Sequence, residues 1–401
     1  MKKTAPIFAG LVLAILAPSA TPQPLPRREE YDAASLTYAG TLPVLVLKGD
    51  FRRMGRQCGV LMRDDLRAMN EALSQRLFRD KKMRREDAMR EAAEFIDLFP
   101  QRYKDFLHGL AETSRLDFED AVMLNAAELL ILDSLSAPPP ACSALAAWGP
   151  YTPDGALVFG RNYDLVGARA AFEPFLRFMV VTVFQPEGSG NAVANIGYLG
   201  SLTTQTAMNG AGLFLDLNNG GISGGEIAFR DRIPILVSLF SFLLDASTFH
   251  QLDACFASTR PNFSYIINAA DRERACSYEW PTFGLKRRSS DREGLLAATN
   301  HFVDESWGLI PPEDGPRTAF TVKRRQNLLN LAEREKGKLT PEAMMRILDT
   351  PLEKGGATFP EGTLLQVVAV PGDLVWWVKL CDRDGWQKID LRPLLAEPGK
   401  K

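Results

Sequence analysis

The sequence predicts an α+β protein with layered, largely antiparallel sheets and not a doubly wound parallel sheet. Three observations carry that expectation. Apolar residues recur at three- and four-residue spacing in Ala88–Phe99 and Phe118–Leu135, the period of an amphipathic helix. The triple proline Pro138-Pro-Pro140 then stops a helix and favours extended chain. Beyond it come short apolar runs between Gly, Pro and Asn turns, which is how strands read.

Taken in order, Lys2 and Lys3 followed by the apolar run Ile7–Leu16 and the small residues Ala17, Ser19 and Ala20 read as an export signal over residues 1–20. The run is short for a membrane span, although an uncleaved anchor is the alternative. Export places the protein in a bacterial periplasm or outside the cell. Residues 21–44, which begin with Pro22, Pro24 and Pro26, read as a linker. From about Phe51 to Leu135 the pattern is helical, with Asp117 an expected N-cap. Strands are expected at Ser143–Trp148, Leu157–Tyr163, Phe175–Phe184, Ala192–Tyr198, Thr203–Met208 and Leu213–Leu217. Helices follow near Pro234–Leu244 and Thr248–Ala257, then strands near Tyr265–Asn268 and Leu295–Ala298. Helices at Thr318–Glu335 and Pro341–Leu348 and strands at Leu364–Val370, Leu374–Leu380 and Trp386–Asp390 close the chain.

Net charge is −2 over 401 residues, and the cluster Lys81, Lys82, Arg84, Arg85 alternates with Asp80, Glu86 and Asp87. That is a solvated helix face, and a nucleic-acid partner has no support. The three histidines, His108, His250 and His301, have no metal-ligand spacing with a cysteine, so neither metal nor cofactor is expected. Five cysteines, at 58, 142, 255, 276 and 381, leave an odd thiol in an exported protein.

Cys142 stands out because it opens a strand directly after the prolines. Cys142-Ser-Ala-Leu-Ala-Ala-Trp-Gly149 leads through Pro153-Asp-Gly155 and returns as Leu157-Val-Phe-Gly-Arg-Asn-Tyr-Asp164. Two paired strands of this kind bring Arg161 and Asp164 back beside Cys142. A buried structural thiol and a surface ion pair are the plain alternatives for these residues.

The same run resembles the nucleophile hairpin of the isopenicillin N acyltransferase-like cysteine peptidases. It is similar also to that of choloylglycine hydrolases, acid ceramidase and the N-acylethanolamine acid amidase. Supporting stretches are Met208-Asn-Gly-Ala-Gly-Leu213 with Asp216-Leu-Asn218, Thr299-Asn-His-Phe302, Thr321-Val-Lys-Arg324 and Gly49–Gly59. The resemblance implies a four-layer αββα sandwich of the N-terminal-nucleophile (Ntn) hydrolases preceded by a helical propeptide region. It implies a precursor that cuts itself before Cys142, giving an α chain, residues 45–141, and a β chain with the catalytic domain, residues 142–401. The two chains would stay associated.

It further implies that Cys142 is the nucleophile, that Arg161 and Asp164 serve it, and that Asn218 and Asn300 donate to an oxyanion. Arg324 is a further catalytic candidate. Two departures are Ala141 before the nucleophile, where Gly or a polar residue is commoner, and a hairpin a few residues longer. Asn219 beside Asn218 leaves the register of that donor open.

The residue types suit the chemistry. A freed N-terminal cysteine carries its own base, an amine of pKa about 7.7–8 beside a thiol of about 8.5, so no histidine is needed. The implied activity is cleavage of a linear C–N amide of a small N-acyl substrate through an acyl-enzyme. Alternatives are an acyltransferase, or an inactive secreted binding protein of the same fold. Bile amides, β-lactam side chains, acyl homoserine lactones, fatty-acid amides and peptidoglycan amides are all open as substrates.

Overall fold

The structure, a computed structural model, describes residues 29–80, 83–134, 141–167, 169–188, 190–226, 228, 232–381 and 385–396. The expected export signal and the proline stretch 136–140 lie outside the described residues. The chain opens with β1 (Glu29–Tyr31), β2 (Ala34–Ala39) and β3 (Leu42–Gly49). A helical stretch follows, with α1 (Phe51–Leu61), α2 (Arg63–Ser74), α3 (Arg85–Asp97), α4 (Gln101–Ser114) and α5 (Phe118–Ser134). Then come β4 (Ser143–Ala147), β5 (Val158–Asp164), the single turn α6 (Arg169–Phe172), β6 (Met179–Pro186), β7 (Val193–Tyr198), β8 (Thr206–Asn209) and β9 (Phe214–Asn219). Helices α7 (Ile235–Asp245) and α8 (Phe249–Ser258) precede β10 (Tyr265–Ala270), β11 (Ala275–Trp280), β12 (Lys286–Arg288) and β13 (Leu295–Ala298). Helices α9 (Thr321–Arg334) and α10 (Pro341–Leu348), strands β14 (Thr363–Val370), β15 (Val375–Leu380) and β16 (Gln387–Asp390), and the short α11 (Arg392–Leu395) complete the chain.

The strands form two sheets. One has ten strands in the order β1-β2-β3-β6-β7-β8-β9-β10-β11-β12, and the other has six in the order β13-β4-β5-β14-β15-β16. Pairing is antiparallel except where β3 runs parallel to β6, with Val44 opposite Val181. The protein is therefore mixed α/β with two large, mostly antiparallel sheets.

One face of the six-stranded sheet packs on α9 and α10, where Leu145, Val158, Ala297 and Val368 meet Leu328, Ala332, Met344 and Ile347. Its other face meets the ten-stranded sheet, with the rings of Phe159 and Phe214 4.8 Å apart and Phe214 edge-on to Trp376 at 6.3 Å. Helices cover the far side of the ten-stranded sheet. There the ring of Phe184 lies 5.9 Å from Phe106 of α4 and 4.8 Å from Phe240 of α7.

Three local expectations are corrected. The stretch expected to be linker as far as residue 44 is strand from Glu29 onward, because Leu36, Leu42, Val44 and Val46 are buried in the sheet. The turn between β2 and β3 uses Gly40 at φ +59°, a conformation in which a glycine is unstrained. Strand β8 starts at Thr206, not Thr203, because the peptide groups before it are already satisfied. Thr204 N donates to Leu236 O, and Thr203 O accepts from Asn195 Nδ2. Helix α9 starts at Thr321, not Thr318, because Ala319 and Phe320 are left-handed and the Asp314 carboxylate accepts the N–H groups of Val322 and Lys323. The Asp117 cap is present, its carboxylate accepting from Asp120 N at 2.7 Å.

Candidate active site

The β4–β5 hairpin sets the local geometry. Antiparallel pairing places Ala144 opposite Arg161 and Ser143 opposite Asn162. Ala141 N donates to Asp164 O, so Cys142 lies between the start of β4 and the end of β5. The connection turns through Gly149 N donating to Gly155 O, with Gly155 at φ +79°. Side chains alternate along β5, so Arg161 points with Phe159 into the space between the sheets.

Arg161 is fully buried there. Its Nη2 approaches Cys142 Sγ at 3.8 Å and donates to Leu217 O at 3.0 Å, while Nη1 donates to Gln205 O and Thr206 Oγ1. Its Nε has no hydrogen-bond partner and lies 3.9 Å from Asp216 Oδ2, which also has none. Asn268 Nδ2 holds the other Asp216 oxygen at 2.6 Å. Burial pushes Asp216 up to about 6, against the pull of Arg161 and the Asn268 bond. Reading of the sequence missed Asp216 as a partner. The available signal was a charge in the apolar strand Phe214–Asn219, since a buried carboxylate needs a partner.

Asp164 is fully buried at the end of β5. One oxygen accepts from Thr363 Oγ1 at 2.5 Å; the other, Oδ2, has no hydrogen bond and lies 3.6 Å from Arg324 Nη1. Burial raises its carboxyl to about 7, and Arg324, Thr363 and Arg161 each pull it down. Burial likewise raises the Cys142 thiol, with Arg161 opposing and the Asp164 charge adding to the rise.

Arg324, in the first turn of α9, reaches the same place from the opposite side of the six-stranded sheet. Its Nη1 donates to Cys142 O at 2.9 Å and to Ala141 O at 3.3 Å, its Nη2 to Asn300 Oδ1 at 2.6 Å, and its Nε to Ala319 O at 2.7 Å. Asn300 follows β13, where its N–H is held by Thr321 Oγ1. Its side-chain amide donates to Asn219 O at 2.9 Å. Asn218, at the end of β9, donates to Thr299 O at 3.0 Å, and its Oδ1 has no partner. Asn219 is less buried and caps its own turn through Gly221 N.

The structure thus joins Cys142, Arg161, Asp164 and Arg324 by direct contacts, and Asn300 through Arg324. It links Asn218 to the cluster through Thr299 and through Arg161 on neighbouring Leu217. His301 lies beside them but is held near pKa 4 by burial and the neighbouring arginines, so it is a neutral ring bonded to Thr321. Cys58, Cys142, Cys255 and Cys276 are free thiols. Among the described residues no group of three or more His, Cys, Asp or Glu could hold a metal, and no helix is long and apolar enough to cross a membrane.

No protein-family model matches the sequence, and no curated protein sequence matches it. Solved structures similar to this chain include a conjugated bile acid hydrolase from Clostridium perfringens, at 13% identity over 64% of this chain and 94% of that chain, with a TM-score of 0.45. They include the Caenorhabditis elegans ortholog of N-acylethanolamine-hydrolyzing acid amidase, at 16% identity over 58% and 93%, with a TM-score of 0.44. A penicillin V acylase from Agrobacterium tumefaciens is similar at 11% identity over 62% and 86%, with a TM-score of 0.41.

Proposed function

We propose that the protein is an exported cysteine amidohydrolase of the Ntn class with the four-layer αββα architecture, cut by itself before Cys142. The residues up to Ala141, strands β1 to β3 included, then form a propeptide-derived α chain that stays bound to the β chain. The observation that carries this reading is the convergence of Arg161, Asp164 and Arg324 on one buried peptide bond, Ala141–Cys142.

Once that bond is cut, Cys142 carries a free amine and a thiol. Oδ2 of Asp164, which accepts no hydrogen bond and faces Arg324, is a fitting acceptor for an ammonium at that nitrogen. The amine takes the thiol proton, Arg161 stabilises the thiolate, and the sulfur adds to the substrate amide carbon. The resulting oxyanion takes a hydrogen bond from the Asn218 amide, which spends one N–H on Thr299 and keeps a second, and from the Asn300 side. The proton held by the Cys142 amine passes to the departing substrate nitrogen, leaving a thioester that water hydrolyses.

N-terminal sequencing and intact mass of purified protein test this directly. Two chains are expected, one ending at Ala141 and one starting at Cys142, while Cys142→Ala stays whole. Activity on linear amides survives a chelator. An active wild-type preparation that is a single uncut chain rejects the proposal.

Asn300→Ala and Asn218→Ala are expected to lower kcat on the order of 10²–10³ while moving KM little, because an oxyanion donor acts on charge that grows in the transition state. Asn219→Ala is milder. A reversed order in steady-state kinetics would move the donor one residue along β9.

A further inference from the structure

We propose that Arg324 is the oxyanion donor for the self-cleavage step at the Ala141–Cys142 bond. This rests on the reading of Cys142 as a self-freed nucleophile and assigns a residue to the step that frees it.

In self-cleavage the reacting carbonyl is that of Ala141. Cys142 Sγ adds to the Ala141 carbon through a five-membered ring, and the Ala141 oxygen takes up the negative charge. The thiol proton ends on the Cys142 nitrogen, the C–N bond breaks, and a thioester joins Ala141 to Cys142 Sγ. Water then hydrolyses the thioester, giving the Ala141 carboxylate and restoring the thiol, so the step needs no other reactant.

The donor that the structure brings to the Ala141 oxygen is Arg324 Nη1. Its guanidinium is locked before the reaction starts: Nε is spent on Ala319 O, Nη2 on Asn300 Oδ1, and the Phe359 ring lies 5.3 Å from Cζ. It is 0% exposed, and a fixed donor in such a site needs no reorganisation. The Asn218 and Asn300 side-chain amides are meanwhile turned to the carbonyls of Thr299 and Asn219. Arg161 faces the sulfur, Leu217 O, Gln205 O and Thr206. The two buried arginines thus divide the work, Arg161 at the nucleophile and Arg324 at the carbonyl oxygen.

The test follows self-cleavage of the full chain over time by denaturing gel and intact mass. Arg324→Ala is expected to slow cleavage on the order of 10²–10³, with folding checked by thermal melting. Millimolar guanidinium is expected to restore part of the rate with saturation, which a purely structural role would not give. Should Arg324→Ala fail to fold, Arg324→Gln, neutral and close in shape, decides: slow cleavage with an unchanged Tm supports the assignment. Wild-type cleavage rates in either folded variant overturn it while leaving Cys142 as the nucleophile. A wild-type chain that never cuts before Cys142 overturns both.

Discussion

Iodoacetamide at one equivalent is expected to abolish activity of the cut protein by modifying Cys142 alone. In a chain left whole the order is expected to be the reverse. Cys142 is 1% exposed and its thiol is raised by burial, whereas Cys255 is only half-buried. Cys58 is pushed up to about 12 by burial, and buried Cys276 is raised for the same cause, so neither competes in folded protein. The proposed cut would give Cys142 an adjacent base and free it from the peptide on its N-terminal side. Thiolate, not thiol, is the species that reacts, so only that site gains. Its rate should fall in acid as the new amine protonates. Peptide mapping against residual activity reads the result, and full activity with Cys142 completely modified would sink the mechanism.

Arg161→Met is expected to cost about 3–5 kcal/mol of stability, because removing one partner of a buried pair strands the other. The stranded group is Asp216, and the carbonyls of Leu217 and Gln205 lose a donor as well. The pH dependence has a definite sign. Asp216 is held at about 6 in the folded state against an ordinary 3.8, so its contribution to stability is greatest in acid and is lost as pH rises through 6. Without Arg161 the carboxyl rises further, so the penalty is smaller at pH 5, where it can stay protonated, than at pH 8. Adding Asp216→Asn should recover part of the stability and none of the activity. Urea unfolding at both pH values, beside an amidase assay, separates the two roles. An equal loss at pH 5 and 8 would show that the charge of Asp216 is not what is stranded.

How much of this was readable in the sequence follows from how local each feature is. The Cys142–Asp164 hairpin is a continuous stretch whose alternation fixes which side chains share a face, so Arg161 and Asp164 fell beside Cys142 as expected. Asn300 and Arg324 were found only through a resemblance, and the structure makes Arg324 the link between Cys142 and Asn300. No spacing rule connects residues that meet from opposite faces of a sheet. Strand β11, Ala-Cys-Ser-Tyr-Glu-Trp, was missed because all six of its residues are buried, polar ones included, which removes the alternation that marks a strand. Glu279 within it looks like a surface residue, yet it holds the N–H groups of Val303 and Asp304 and the Trp307 indole. Strands β1 to β3 were masked by the prolines ahead of them, although Leu42–Leu47 between Gly40 and Gly49 is a strand-like run. Its partner β6 lies far along the chain, and a parallel register of that kind has no local code.

With the proposed cut, the parallel pairing of β3 with β6 would give the molecule a history that it cannot repeat. In the uncut chain the two strands find each other as parts of one polymer, where loop closure adds only slowly to the entropic cost as the intervening chain lengthens. After a cut before Cys142 the same pairing joins two separate molecules, and its recovery after unfolding becomes a second-order encounter that depends on concentration. Each fragment alone would carry an unpaired strand edge in what had been the interior of a sheet, which is a template for aggregation. The native fold would then be reached once, from the precursor, and afterwards held by the slowness of unfolding instead of by a reversible equilibrium.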